Sequence, residues 1–194
     1  MVNDSRNDKR DMIRVQLSRQ GADGQKDLII VPGGYGEGFL SDKMNLDLSH
    51  LVKCGGLFGE AIDLACEFKM SSLLLAGQLG KMIQLANGIM DDDSYEEVYD
   101  MEVLADCILL AGGDAELSQR IMYCDSLDEV VDVLWVTAFL QPVMAQMMRR
   151  AGRVLTDYAG SRIQIGALVF SNLYGLMGKT PGAEELIMRH RRLL

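Results

Sequence analysis

Three glycine-bearing turns, set behind runs of strand-forming residues, constrain this chain more than any other feature. Leu28-Ile29-Ile30-Val31 leads into Pro32-Gly33-Gly34-Tyr35-Gly36-Glu37, and Leu51-Val52-Lys53-Cys54 leads into Gly55-Gly56-Leu57-Phe58-Gly59-Glu60. Leu73-Leu74-Leu75-Ala76 leads into Gly77-Gln78-Leu79-Gly80-Lys81. Each turn heads toward a predicted helix. Strand, turn and helix in repetition build a parallel sheet and place the turns at its carboxyl edge, where open α/β folds bind ligands.

The rest of the chain supports that grammar. Ser71 to Ala76 is a continuous apolar run, as expected of a central parallel strand covered on both faces. Phe58, Ala61, Ile62, Ala65 and Phe68 recur at helical spacing, and Leu79, Met82, Ile83 and Ala86 begin a helix that ends near Asn87-Gly88. Leu104 to Leu109 mark a helix stopping at Gly112-Gly113. Asp114 caps a short helix to about Tyr123, and Asp125 or Ser126 caps the next. Pro142 suits the first turn of a long helix to about Tyr158. A strand follows over Arg162 to Phe170, and Thr180-Pro181 opens a final helix with early acids and late bases. Ahead of the first strand, Asp27 to Val31, residues Asp11 to Gln20 read as a short helix and polar residues 1–10 as a disordered arm. Ser41 to Ser49 reads as an irregular loop or short helix. The predicted fold is α/β: a mostly parallel sheet with helices on both faces in three layers. It forms one domain over residues 11–194, with a helical insertion between about 91 and 140.

A length of 194 residues suits one well-buried domain. The formal net charge of −9 argues against nucleic acid as a partner, because a general binder would carry a basic face. Apolar runs are too short to span a bilayer, and Met1 to Arg6 lacks the apolar core of a secretory signal. Cys54, Cys66, Cys107 and Cys124 form no Cys-x-x-Cys pair. They read as small buried hydrophobes in a reducing cytosol, so a cytoplasmic location is expected. Thirteen methionines read as plastic core filling.

A turn between a strand end and a helix start offers unpaired amides and a positive dipole end, which suit carboxylate, phosphate or ribose groups. The candidate ligand-binding residues are therefore Gly33, Gly34, Tyr35, Gly36, Glu37, Lys53, Gly55, Gly56, Gly77, Gln78, Gly80 and Lys81. For each glycine the other reading is tight turning alone, and for Lys53 and Lys81 it is a solvated side chain. No turn has the order of a Walker motif or of a dinucleotide fingerprint. Asp91-Asp92-Asp93, with Glu96 and Glu97 nearby, reads first as a solvated or capping turn and second as a magnesium site, so no metal is assigned. His50 and His190, the only histidines, lie far apart, which disfavours a histidine triad. No catalytic residue is assigned. The residues alone describe a small-ligand pocket without obvious acid–base machinery.

The ordered turns resemble the cobalt-precorrin-5B C-1 methyltransferase (CbiD) family in its C-terminal half. Its Pro-Gly-Asn-Tyr-Gly-Glu turn is met by Pro32 to Glu37, and its Val-Lys-Cys-Ser-Asn-Phe-Ile-Gly stretch by Val52 to Gly59. Its Gly-His-Ile-Gly-Lys turn is met by Gly77 to Lys81, followed by Leu85-Ala86-Asn87-Gly88-Ile89. Phe170-Ser171-Asn172 and Thr180-Pro181-Gly182-Ala183-Glu184-Glu185-Leu186 look like the closing segment. The match runs over roughly residues 12–192. The resemblance implies methyl transfer from S-adenosylmethionine to C-1 of a cobalt-bearing tetrapyrrole, in the cytosol, with a separate N-terminal domain that a second chain could supply. A homo-oligomer is left open. Departures fall on polar residues: Gln78 replaces the turn's histidine, Gly34 and Gly56 replace asparagines, and Asp91-Asp92-Asp93-Ser94 replaces a His-Thr-His-Ser stretch. They supply the alternative, a non-catalytic binding or assembly module that lacks the N-terminal domain.

Overall fold

A computed structural model describes residues 2–92 and 100–192, with the backbone alone for residues 2–5. Five strands form one sheet in the order β2-β1-β3-β4-β5. They are β1 (Asp27–Val31), β2 (Leu51–Lys53), β3 (Ser72–Gln78), β4 (Gln164–Ser171) and β5 (Gly175–Lys179). The first four are parallel, and β5 returns antiparallel on β4. The helices are α1 (Val2–Ala22), α2 (Phe58–Glu67), α3 (Leu79–Ala86), α4 (Met101–Leu110), α5 (Ala115–Met122), α6 (Leu127–Val136), α7 (Leu140–Ala159) and α8 (Ala183–Arg189).

Period-two alternation divides the sheet's side chains between two cores. Leu28, Ile30, Leu73, Leu75, Ala167 and Val169 enter the larger core, which also takes Ile13 and Leu17 of α1, Ile62 of α2, Ile83 of α3 and Met147 of α7. Ile29, Val31, Leu74, Ala76, Leu168 and Phe170 enter a smaller core closed by Leu40, Leu46, Leu186 and Ile187. Helices thus cover both faces, and the three-layer α/β reading holds. The buried strands are apolar on both sides because no face meets water.

Three features depart from the sequence reading. Residues 2–10 are not a disordered arm but continue α1. Arg6 reaches Asp91 at 2.8 Å and Glu60 at 3.3 Å, and Arg10 reaches Glu60 at 3.1 Å. These pairs join a segment with little apolar content to α2. Further along the same helix, the Gln16 amide donates to the Lys53 carbonyl at 3.0 Å and accepts from the Lys53 N–H at 2.9 Å. That side chain acts as one more strand residue on the open edge of β2.

The first glycine turn leads into a single π-helical turn, Phe39–Lys43, rather than a regular helix. The third departure is β5. Two of its five residues are glycine and only Met177 is fully buried, so its sequence carries neither the β-branched content nor the apolar alternation of a strand. The insertion, by contrast, is legible: Asp100, Asp114 and Ser126 cap α4, α5 and α6 by accepting backbone N–H groups of Glu102, Leu117 and Glu129. Cys54 and Cys107 are buried, Cys66 and Cys124 half-buried, and all four are free thiols.

Gly36 is a packing requirement. Its φ is +100°, and a Cβ there would lie 2.1 Å from the Phe170 ring. Gly33 has open space around it. Gly36→Ala should therefore cost about 2–4 kcal/mol from overpacking and backbone strain, against less than about 0.5 kcal/mol for Gly33→Ala, read by urea unfolding. Equal stabilities would refute the packing role.

His190 gives a pH signature. It is buried at the end of α8, its Nε2 has no partner, and burial lowers its pKa from the ordinary 6.5 against the opposing charge of Asp27. The unfolded chain then binds more protons than the folded one in the window below 6.5, so stability present above that value is lost as pH falls. Tm should drop between about pH 7.5 and 5.5, and His190→Leu should flatten that slope. An unchanged slope in the variant would show that another group carries it.

Candidate ligand cleft at the carboxyl edge of the sheet

The chain leaves the neighbouring strands β1 and β3 in opposite directions. After β1 it crosses the face of the smaller core, through Leu40 and Leu46, to reach β2. After β3 it crosses the opposite face, through α3 to α7, to reach β4. Divergence of this kind opens a crevice beyond the carboxyl ends of the strands. A cleft of about 850 Å³ lies there. Gln78, Leu79 and Gly80 line it at the end of β3, Phe170 and Ser171 at the end of β4, and Tyr35 at its mouth. Asp125, Ser126 and Asp128 form a wall at the start of α6.

All three glycine turns sit on this edge, but they are not equivalent. Of the twelve candidate residues, Tyr35, Gln78 and Gly80 line the cleft. Glu37 and Lys53 form an ion pair at 2.7 Å, beside Gly34. Because both side chains are well exposed, the pair adds little stability, but each charge neutralises the other.

The second turn is closed. The Gly55 amide donates to the Pro32 carbonyl at 2.8 Å, and Phe58 and Gly59 donate to the Met90 carbonyl. One Asp91 oxygen accepts from the Gly59 and Glu60 amides at 2.9 and 3.2 Å, while the other accepts from Arg6 at 2.8 Å. The start of α2 is thus capped by the chain itself. Gly56 has φ +87°, and a Cβ there would lie 2.4 Å from the Asp92 carbonyl oxygen. Asp92 also accepts from Lys81 at 3.0 Å and from the Gln84 amide at 2.6 Å. Lys81 is therefore committed to Asp92. At Gly77 a Cβ would meet only the terminal methyl of Met82, at 2.6 Å, which a flexible side chain can move aside. The capping reading of the acidic turn holds for Asp91, while Asp93, Glu96 and Glu97 lie outside the described residues. Among the described residues no cluster of three metal-ligating side chains forms.

The third turn stays open. α3 begins at the cleft, and among the described residues no side chain caps its start as Asp91 caps α2. α6, by contrast, satisfies its own start: Ser126 accepts from Glu129 N–H, and Asp125 N–H donates to the Glu129 carboxylate. The acids of α6 remain at the wall, and Phe170, Leu79, Val131 and Met177 supply an apolar floor. Both histidines lie elsewhere: His50 pairs with Gln20 on α1, and His190 is buried behind α8. Sequence reading missed the contributions of α6 and β4. The Ser126 cap and the Phe170-Ser171 strand end were visible, but only the strand order places them beside β3.

Fold and cleft together define a doubly wound α/β domain with a crevice at its switch point. A family model described as CbiD, C-terminal domain, matches residues 94–181. The cobalt-precorrin-5B C(1)-methyltransferase of Clostridioides difficile is 24% identical over 177 residues, 90% of this chain and 43% of that protein. The proteins of the same name from Ruminiclostridium cellulolyticum and Thermosipho africanus are 28% identical over 145 and 170 residues, covering 75% and 87% of this chain and 38% and 46% of theirs. The chain resembles the C-terminal domain of the CbiD family, as its ordered turns indicated, and it spans less than half the length of these relatives. No solved structure matches it. No described helix is long and apolar enough to cross a membrane.

Asp91→Ala should remove the cap on α2 and cost about 1–2 kcal/mol in denaturant unfolding. Loss of the part-exposed Arg6 pair adds little to that. A stability equal to that of the parent chain would exclude the capping role.

Proposed function

We propose that this chain supplies the C-terminal-domain part of an S-adenosylmethionine-dependent methyltransferase. It acts in the cytoplasm on C-1 of cobalt-precorrin-5B, together with an N-terminal domain. The observation that carries this is the open cleft where β1 and β3 diverge, in a chain similar to proteins of that name. The lining fits a zwitterionic methyl donor. The uncapped start of α3 suits an anionic group, Asp125 and Asp128 suit a cationic one, and Phe170, Leu79 and Val131 suit an apolar ring. The sulfonium of S-adenosylmethionine supplies an already activated methyl group. The work left to the protein is then proximity and alignment, which requires no general base in the cleft.

The closed second turn favours a second reading, a non-catalytic binding or assembly module. Asp91 and Met90 occupy the amides that a ligand would otherwise meet there. Purified chain, alone and mixed with a relative's N-terminal domain, should be given S-adenosylmethionine and cobalt-precorrin-5B. Methylated product in either mixture is the expected result, and its absence from both would overturn the enzymatic reading. Calorimetry with S-adenosylmethionine and S-adenosylhomocysteine separates the two: binding without turnover supports the module.

A further inference from the structure

The most exposed large apolar side chains among the described residues are not scattered. Tyr123, Val136, Leu173 and Tyr35 lead them, at 86%, 80%, 77% and 71% exposed, and all four lie on elements that border the cleft. Tyr35 lines it from the first turn. Leu173 follows Ser171 by two residues and Tyr123 precedes Asp125 by two, and Ser171 and Asp125 both line it. Val136 ends α6, next to Trp135. Leu110 and Met12 come next in exposure, at the end of α4 and on α1. Single exposed apolar residues are ordinary on a folded chain, but a group of them around one opening marks an interaction surface.

Trp135, itself 61% exposed, is already held in place. Its ring lies 5.9 Å from that of Tyr174, whose hydroxyl donates to Asp132 one turn earlier on α6. Ordered aromatic side chains lose little conformational freedom on docking and anchor interfaces well. The course of α1 points to the occupant. Followed backwards, α1 runs to the carboxyl edge of the sheet: Arg6 meets Asp91 and Glu60 at the start of α2, and the Lys9 side chain lies beside Gly55 of the second turn. A domain joined ahead of α1 therefore emerges on the edge that holds the cleft. The match to the Clostridioides difficile relative takes in 43% of that protein, so more than half of it lies outside the match, and the family model that fits this chain describes a C-terminal domain. A second copy fits less well, because each carries a net charge of −9 and the same acidic wall, Asp125 and Asp128, beside the rim.

We infer that the rim formed by Tyr35, Tyr123, Trp135, Val136 and Leu173 is the docking surface for the N-terminal domain, which covers the mouth of the cleft. The inference rests on the function proposed above and adds which face of this chain its partner domain occupies.

Trp135 is the chain's one tryptophan, so fluorotryptophan incorporated there lets fluorine NMR follow the rim alone. The full chain, so labelled, is titrated with the unlabelled N-terminal domain of the Clostridioides difficile relative, with no substrate present. The Trp135 resonance should shift saturably as the domain is added and become shielded from a dissolved gadolinium chelate. Tyr35→Asp with Leu173→Asp, both outside the labelled helix, should weaken docking at least about tenfold. Met12→Asp with Val15→Asp, an equal charge change at exposed apolar sites of α1, should leave it within about twofold. Absence of binding would overturn the inference. So would binding that leaves the Trp135 resonance unmoved, or an equal loss in both pairs. A resonance that shifts with the concentration of the chain alone would overturn it in favour of a second copy. Docking is read without donor or tetrapyrrole, so each of these outcomes leaves the calorimetry and the product assay as separate tests of the proposed function.

Discussion

Asp91 and Asp92 hold the carboxyl edge of the sheet in register. Asp91 caps α2 and draws α1 onto it through Arg6. Asp92 pairs its own amide with Gly56 and its carboxylate with Lys81 and Gln84, fixing the start of α3 against the second turn. Charge-assisted bonds of this kind contribute about 1.5–3 kcal/mol each when shielded, against a total stability of about 5–15 kcal/mol for an ordinary domain. The consequence for function is direct. An anionic ligand at α2 would have to displace a carboxylate built into the chain. Among the described residues no side chain caps the start of α3, and that is where the cleft lies.

The neutral rim follows from the same economy of charge. Glu37 and Lys53 cancel one another between the first and second turns, so the cleft takes its sign from α6. Lys43 and Arg191 lie beyond the hairpin, and Arg191 acts electrostatically on Glu184.

Most of the sheet was legible because buried parallel strands must be apolar on both faces. β1 was read with its observed limits, and β3 and β4 within two residues at either end. The caps at Asp114 and Ser126 were legible because an N-cap needs one specific side-chain acceptor. What escaped was set by partners distant in sequence. Residues 2–10 are helical through Arg6 and Arg10 meeting Glu60 and Asp91, which no local pattern announces. β5 forms because β4 offers it an edge, not because Gly175 to Lys179 prefer extension. At the site, the three turns were placed on the right edge, yet the split between an open third turn and a closed second one depends on where Asp91 and Asp92 return. Gly36 carries the marks of ligand approach but answers to Phe170.

Under the proposed reading the hairpin that borders the cleft has to be rigid, because alignment is the main contribution a methyltransferase makes. The structure supplies that rigidity. The Ser171 hydroxyl oxygen accepts the Leu173 and Tyr174 amides, closing the turn on itself. The Tyr174 hydroxyl donates to Asp132 of α6, and its ring lies 5.9 Å from Trp135. Its hydrogen bond to Asp132 raises the Tyr174 pKa above the ordinary 10, so the phenol remains a donor throughout the neutral range. One joint therefore ties the β4–β5 turn to α6 at the edge of the cleft. It does so through packing and neutral hydrogen-bond donors, which explains how a site can be ordered with so few ionisable groups inside it.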